Sequence, residues 1–96
     1  MPSFRVIVPV GRLRPGVSAE SVLPAAAAAA GERTVVEASS VDVVAREARI
    51  TVRFMADTVD EAIGVAEHTV DAVERLAQTG TWQLTQRVGG RWFRRA

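Results

Sequence analysis

The chain of 96 residues contains no Cys, no Lys, no Tyr and no Asn, and its single His is His68. Catalysis by proton transfer or covalent attack usually draws on His, Cys, Lys or paired carboxylates, and this composition singles out no nucleophile or general base. The absence of Cys also excludes disulfides and thiolate metal sites. We therefore expect a protein that is not an enzyme and that uses neither a cofactor nor a metal ion.

Long apolar runs are missing as well, and none approaches the roughly 18 residues that a membrane-spanning helix needs. The first ten residues, MPSFRVIVPV, have no basic leader and no small-residue cleavage site. Hydrophobic residues make up 48% of the chain and charged residues 24%, which is typical of a globular protein. The sequence thus predicts one domain over residues 1–96, located in the cytoplasm and without a membrane partner.

All twelve basic residues are Arg, and the net charge is +1. This small value hides a separation of charge along the chain. Residues 1–16 and 81–96 contain Arg but no acidic residue, whereas residues 57–75 contain acidic residues and Arg75 alone. We expect a domain with basic ends and an acidic helix.

The first part of the chain has a strand pattern followed by a helix pattern. Alternating apolar residues predict a strand over residues 3–10. The alanine-rich segment that follows predicts a helix with Ser18 or Ser21 as its N-cap and Gly31 as its C-terminal stop. Pro24 is compatible with a first helical turn but not with a helix interior. This favours Ser21 as the cap and an irregular or 3₁₀ lead-in before it.

The middle of the chain predicts a hairpin and a second helix. Residues 34–44 and 48–55 are rich in β-branched residues and are joined near Ala45-Arg46-Glu47, so they should form a hairpin. The motif Thr58-Val59-Asp60-Glu61 is a capping box, in which the Thr hydroxyl and the Glu carboxylate satisfy free backbone donors. An apolar stripe at helical spacing then predicts a helix that ends at Gly80.

The C-terminal segment predicts one further strand, marked by Trp82, Leu84 and Val88. Gly89-Gly90 follows, with another apolar and basic segment behind it. A two-residue glycine turn of this kind indicates a hairpin and a short extra strand. A glycine bulge within one long strand fits the same pattern.

The predicted order is βαββαβ, the pattern of ferredoxin-like α+β folds. Right-handed crossovers would place the first and third strands in the centre of an antiparallel sheet, with both helices on one face. The fourth strand would lie beside the first, and an extra C-terminal strand after Gly89-Gly90 would extend the sheet.

The best candidate for a small ligand is the loop Gly11–Gly16 at the start of the first helix. Free N–H groups and the helix dipole at a helix N-terminus favour an anion. The candidate ligand-binding residues are Arg12, Arg14, Gly16 and Ser18. The alternative is that this loop only connects two elements.

The stretch Arg14-Pro15-Gly16-Val17, together with the βαββαβ order, resembles the same junction in ACT domains. The resemblance implies a regulatory domain that binds amino acids near this loop, at a dimer interface. Arg14 stands where ACT domains usually carry an acidic residue, which would hold the amine of the ligand.

The face of the predicted sheet that carries no helix should be polar and basic, with Arg5, Ile7, Arg49, Thr51, Arg53, Gln83, Thr85 and Arg87. RNA-recognition domains of this topology stack bases on aromatic residues of the first and third strands. No aromatic residue occupies those positions here. Phosphate binding by Arg, plain solvation and burial in a dimer all remain open for this face.

The basic ends of the chain form a second candidate surface. Antiparallel pairing should bring Arg5 close to the C-terminal segment, so that the two basic segments share an edge of the sheet. The residues that could bind a protein partner or nucleic acid there are Arg5, Arg87, Arg91, Trp92, Phe93, Arg94 and Arg95, because aromatic residues and Arg are enriched at interfaces.

His68 is predicted on the outer face of the second helix, near Glu67 and Asp71. A metal site needs three or four ligands at matched spacing, and only Asp71 is suitably placed. We therefore interpret His68 as a solvated side chain.

These observations predict a small, non-catalytic binding or regulatory module, homodimeric, that binds a small anion at the Gly11–Gly16 loop. The alternatives are a nucleic-acid-associated protein that uses the Arg-rich edge, and a subunit of a larger assembly.

Overall fold

A computed structural model describes all 96 residues, which form six strands and two helices. The elements are β1 (Ser3–Leu13), α1 (Val22–Gly31), β2 (Val36–Val44), β3 (Glu47–Met55), α2 (Val59–Glu74), β4 (Ala77–Thr79), β5 (Gln83–Val88) and β6 (Arg91–Arg94). The sheet has the order β2-β3-β1-β5-β6, and β4 pairs with the far end of β1. All pairings are antiparallel. Neither helix is long and apolar enough to cross a membrane.

The arrangement confirms an α+β protein with an antiparallel sheet. Its order is consistent with the predicted ferredoxin-like pattern, with β1 and β3 central and β5 in the place of the fourth strand. β4 and β6 are additional strands.

The core lies between the sheet and the two helices. Every second residue of β1 and β3 faces it, so that Phe4 pairs with Phe54 and Val6 pairs with Val52. The two phenylalanine rings are stacked with centroids 6.1 Å apart. Buried residues of α1 and α2 belong to the same cluster, which places both helices on one face of the sheet.

Helix α1 follows directly on a 3₁₀ turn, Ala19–Ser21, which confirms the predicted lead-in. Ser21 occupies the N-cap position of α1, as predicted, but neither its side chain nor that of Ser18 makes a capping hydrogen bond. The backbone of Ser21 is already helical because the turn continues into α1, and its hydroxyl donates to the Ser18 carbonyl at 2.7 Å. The helix ends at Gly31, which confirms the predicted end to within one residue, although Gly31 lacks the positive φ of the usual glycine stop.

The β2–β3 hairpin forms as predicted, with Ala45 and Arg46 as its two-residue turn. Both residues have positive φ, 50° and 66°. This left-handed geometry matches the twist of the flanking strands, although Asn and Gly adopt it more readily than Ala and Arg.

Helix α2 begins at the predicted capping box. The Thr58 hydroxyl accepts a hydrogen bond from the Glu61 N–H at 3.1 Å. The Glu61 carboxylate accepts from the Asp57 N–H at 3.2 Å, one residue earlier than in the usual box.

The predicted end of this helix at Gly80 is wrong, because the helix ends at Glu74. Strand β1 continues three residues beyond the predicted end, and the last part of β1 pairs with β4, Val10 with Thr79 and Leu13 with Ala77. Gly80 serves a close approach instead. A Cβ atom there would lie 3.1 Å from the Cβ of Pro9.

The C-terminal segment forms a hairpin rather than a bulged strand. Val88 pairs with Arg91 across Gly89-Gly90, and Gly89 has a φ of 63°. The predicted extra strand is therefore confirmed as β6.

Candidate functional site

The sheet face opposite the helices, called here the helix-free face, carries the polar set that the alternation predicts. Arg5 on β1 lies between Arg53 on β3 and Thr85 on β5 in the strand register. Arg87 follows two residues after Thr85 on the same face. Arginines from three strands thus lie side by side.

Trp92 joins this face, which the sequence analysis did not anticipate. It lies opposite Arg87 in the β5–β6 pairing. Its ring reaches β1, with its centroid 3.8 Å from the Arg5 Cζ and 5.3 Å from the Arg53 Cζ. The signal was the Gly89-Gly90 turn, because a hairpin there pairs Trp92 with Arg87 and so places both on one face.

Two arginines of the helix-free face have carboxylate partners. The Arg53 Nε lies 3.2 Å from the Glu37 Oε1, and the Arg49 Nε lies 3.2 Å from the Glu47 Oε1. Glu37 also accepts a hydrogen bond from the Ser3 hydroxyl at 2.7 Å. That bond holds the pKa of Glu37 below its usual value, with Arg53 adding to the effect and burial opposing it.

Arg5 has no such partner. Its guanidinium makes no ion pair and no hydrogen bond, and it rests on the Trp92 ring. Burial lowers the pKa of Arg5, and the positive charges of Arg53 and Arg87 lower it further. A half-buried cation beside two like charges is electrostatically unfavourable, and a bound anion would relieve this.

A shallow groove of about 440 Å³ adjoins Arg5 on the helix-free face. Its lining is mostly polar, with Arg5, Arg49, Arg53, Ser39, Ser40, Thr51 and Asp42 around a floor that includes Ile7. Three arginines facing one groove supply planar, multiple N–H donors, which suit phosphate or carboxylate oxygens.

The loop that the sequence analysis favoured has a different structure from the one expected. Residues Gly11 to Leu13 are part of β1 rather than a loop. Arg14-Pro15-Gly16-Val17 is a tight turn in which the Val17 N–H bonds to the Arg14 carbonyl at 3.1 Å and Gly16 has a φ of 80°.

The two arginines of that loop are not equivalent. The Arg14 guanidinium donates two hydrogen bonds to the Glu74 carbonyl, at 3.1 and 3.2 Å, and so caps the end of α2. Arg12 is exposed and makes no side-chain hydrogen bond. The Arg14 guanidinium therefore lies at the end of α2 and not beside Ser18 at the start of α1. An anion site in this loop stays a prediction.

The C-terminal candidates divide between the two faces of β6. Trp92 lies on the helix-free face, whereas Phe93 is 42% exposed and has the Arg95 Cζ 5.8 Å from its ring centroid. Arg91 and Arg94 are exposed. The expectation that both basic ends share a sheet edge is wrong, because β6 is an edge strand whereas β1 lies in the centre of the sheet.

His68 is not a fully solvated side chain. It is 27% exposed, and its Nε2 lies 2.9 Å from the Glu32 Oε1 at the end of α1. The side chain therefore links the two helices. No group of three or more His, Asp or Glu side chains lies close enough together to hold a metal ion.

Comparisons with protein-family models, with curated proteins and with solved structures find no match to this chain.

Proposed function

We propose that this ferredoxin-like domain is a non-catalytic binding module that holds a small, multiply charged anion in the groove of its helix-free face. The observation that carries the proposal is the state of Arg5, which is partly buried next to Arg53 and Arg87 without a carboxylate partner. An anion bound there would supply the missing counter-charge.

The size and shape of the groove support a small ligand. Pockets for small molecules commonly measure about 300–1,000 Å³, and the groove of about 440 Å³ falls in this range. Ser40, Thr51 and Arg49 on its walls offer further donors to phosphate or carboxylate groups. We therefore favour a metabolite that carries two or more such groups.

Single-stranded nucleic acid is the second candidate, and Trp92 favours it. A tryptophan on an open sheet surface among arginines is a stacking platform that many single-strand binders use. The Arg5 guanidinium already lies 3.8 Å from the centroid of that ring, however. A base could stack there only by displacing Arg5, which makes the compact anion the better fit.

The proposal predicts that tripolyphosphate stabilises the protein, whereas sodium chloride at the same ionic strength does not. A ligand that binds the folded state alone raises stability by about 2.7 kcal/mol at a hundredfold excess over its Kd. The melting temperature should rise by several degrees and then follow the logarithm of the ligand concentration. Differential scanning fluorimetry measures this directly.

Three arginine variants locate the site. Arg5→Gln should abolish the rise in melting temperature. Arg33→Gln makes the same charge change at an exposed residue just after α1 in sequence, and it should retain the rise. A loss of the rise in Arg12→Gln instead would move the site to the Gly11–Gly16 loop. If neither tripolyphosphate nor citrate shifts the melting temperature and a fluorescent oligonucleotide binds tightly, the nucleic-acid alternative is favoured.

A further inference from the structure

The two edges of the sheet differ in how they are protected against pairing with another chain. β6 is four residues long and carries Arg91 and Arg94. β2 is nine residues long, contains neither a basic residue nor Pro, and exposes Val41 and Val43 to 48% and 72%. Edge strands usually carry charges, Pro or bulges that prevent such pairing. In β2 the charges are Glu37, which is already bonded to Ser3 and Arg53 of its own chain, and Asp42. An irregularity between Val36 and Ala38 lies at one end of the strand.

The free side of β2 presents its backbone groups at known positions. In a hairpin with a two-residue turn, the residues that close the turn form a hydrogen-bonded pair, and such pairs alternate along the strands. Val44 pairs with Glu47 at the turn. The even-numbered residues of β2 therefore bond to β3, and Ser39, Val41 and Val43 direct their N–H and C=O groups outward.

We propose that β2 pairs with β2 of a second copy of this chain, antiparallel and with Val41 on the two-fold axis. The regularly paired stretch of β2 runs from Ala38 to Val44, and Val41 is its centre. In this register every residue from Ala38 to Val44 is paired. Val41 lies opposite Val41 of the second copy, and Ser39 lies opposite Val43. This inference does not depend on the anion site.

The side chains of this register are complementary on both faces. On the helix side, Val41 meets Val41, beside an apolar groove that Val41 lines together with Leu13 and Leu23. On the helix-free face, Ser40 meets Asp42, a hydroxyl opposite a carboxylate. The Asp42 carboxylate makes no ion pair or hydrogen bond within its own chain, so this would be its first hydrogen bond.

Neighbouring registers that keep the faces aligned are less favourable. A shift toward the turn places Asp42 opposite Asp42, and like charges directly opposite one another destabilise a sheet. A shift the other way places Glu37 opposite Val43 and runs into the irregular end of β2. The register centred on Val41 avoids both problems.

The absence of Cys allows a direct test by single cysteines under mild oxidation. Two Val41→Cys chains would have their Cα atoms about 5.5 Å apart, within the range of disulfides. Val43→Cys chains would be separated by about 13 Å, since each Val43 lies four residues from its own counterpart. We expect Val41→Cys to form a covalent dimer, Val43→Cys alone to form none, and a mixture of Ser39→Cys and Val43→Cys to form the mixed dimer.

Light scattering tests the interface without cysteines. The wild-type chain should have twice the chain mass at high micromolar concentration, and Val41→Asp should return it to one chain mass. Val88→Asp, a matched change at an exposed valine of β5, should remain dimeric. A wild-type chain that stays monomeric, a Val41→Asp dimer, or cysteine linkage through Ser40→Cys in preference to Val41→Cys would overturn the proposal.

Discussion

Glu37 illustrates how a single residue joins separate parts of the sheet. Its carboxylate accepts hydrogen bonds from Ser3 near the start of β1 and from Arg53 on β3. Both bonds favour the charged form, which is why the pKa of Glu37 lies below its usual value of about 4.5. The ion pair also occupies Arg53, whereas the neighbouring Arg5 has no carboxylate partner.

This lowered pKa predicts a defined pH dependence. A carboxylate with a lower pKa in the folded state stabilises fully above its unfolded pKa, and the stabilisation is lost as the pH falls through the folded value. Glu37→Gln should therefore lower the free energy of unfolding at pH 7, and the difference from wild type should shrink below about pH 4.

Urea unfolding at a series of pH values measures this difference. Glu20→Gln serves as the control, because Glu20 is exposed and makes no side-chain hydrogen bond. A wild-type advantage over Glu37→Gln that is undiminished in acid would contradict the assignment.

At the scale of elements, Arg14 ties the start of the chain to the end of α2. The last carbonyls of a helix have no partner within the helix, and a cation near them also interacts favourably with the helix dipole. The Arg14 guanidinium donates to the Glu74 carbonyl and places a positive charge near the end of α2. The backbone N–H of Arg14 bonds to the Leu76 carbonyl at 2.8 Å. Arg14 thus makes a structural contact that holds the end of α2 against the end of β1.

We predict that Arg14→Ala lowers the free energy of unfolding by about 1 kcal/mol, the usual contribution of such hydrogen bonds. Arg12→Ala also removes one positive charge, two residues away, but it breaks no side-chain hydrogen bond. It should lower the free energy of unfolding by less than about 0.5 kcal/mol. Thermal or urea unfolding of the two variants compares them directly. Equal effects would mean that Arg14 contributes only its charge.

The elements that the sequence predicted well are those set by local patterns. Alternation predicts β1 and β3, and the capping box predicts the start of α2 from four adjacent residues. β4 was missed because Ala77-Gln78-Thr79 also fits a helix, and only the pairing with the far end of β1 makes it a strand. The contacts of Arg14 with Glu74 and of Arg5 with Trp92 join residues far apart in sequence, so no local pattern could reveal them.

At the scale of the whole molecule, the sheet separates an apolar side from a basic one. The buried cluster and both helices occupy one face, and the acidic residues of α2 lie on that side as well. The arginines of β1, β3 and β5 occupy the other face. The net charge of +1 therefore conceals a separation of charge between the two sides of the sheet.

The most direct test of the anion site is a titration of ¹⁵N-labelled protein with tripolyphosphate at constant ionic strength, followed by NMR. The two tryptophans provide an internal comparison, because Trp92 lies on the helix-free face and Trp82 packs against the core. We predict saturable shifts of the Trp92 indole N–H and of the Arg5 and Arg53 signals, with the Trp82 indole unchanged. Shifts confined to residues 12–18, or weak shifts of every arginine that do not saturate, would contradict it.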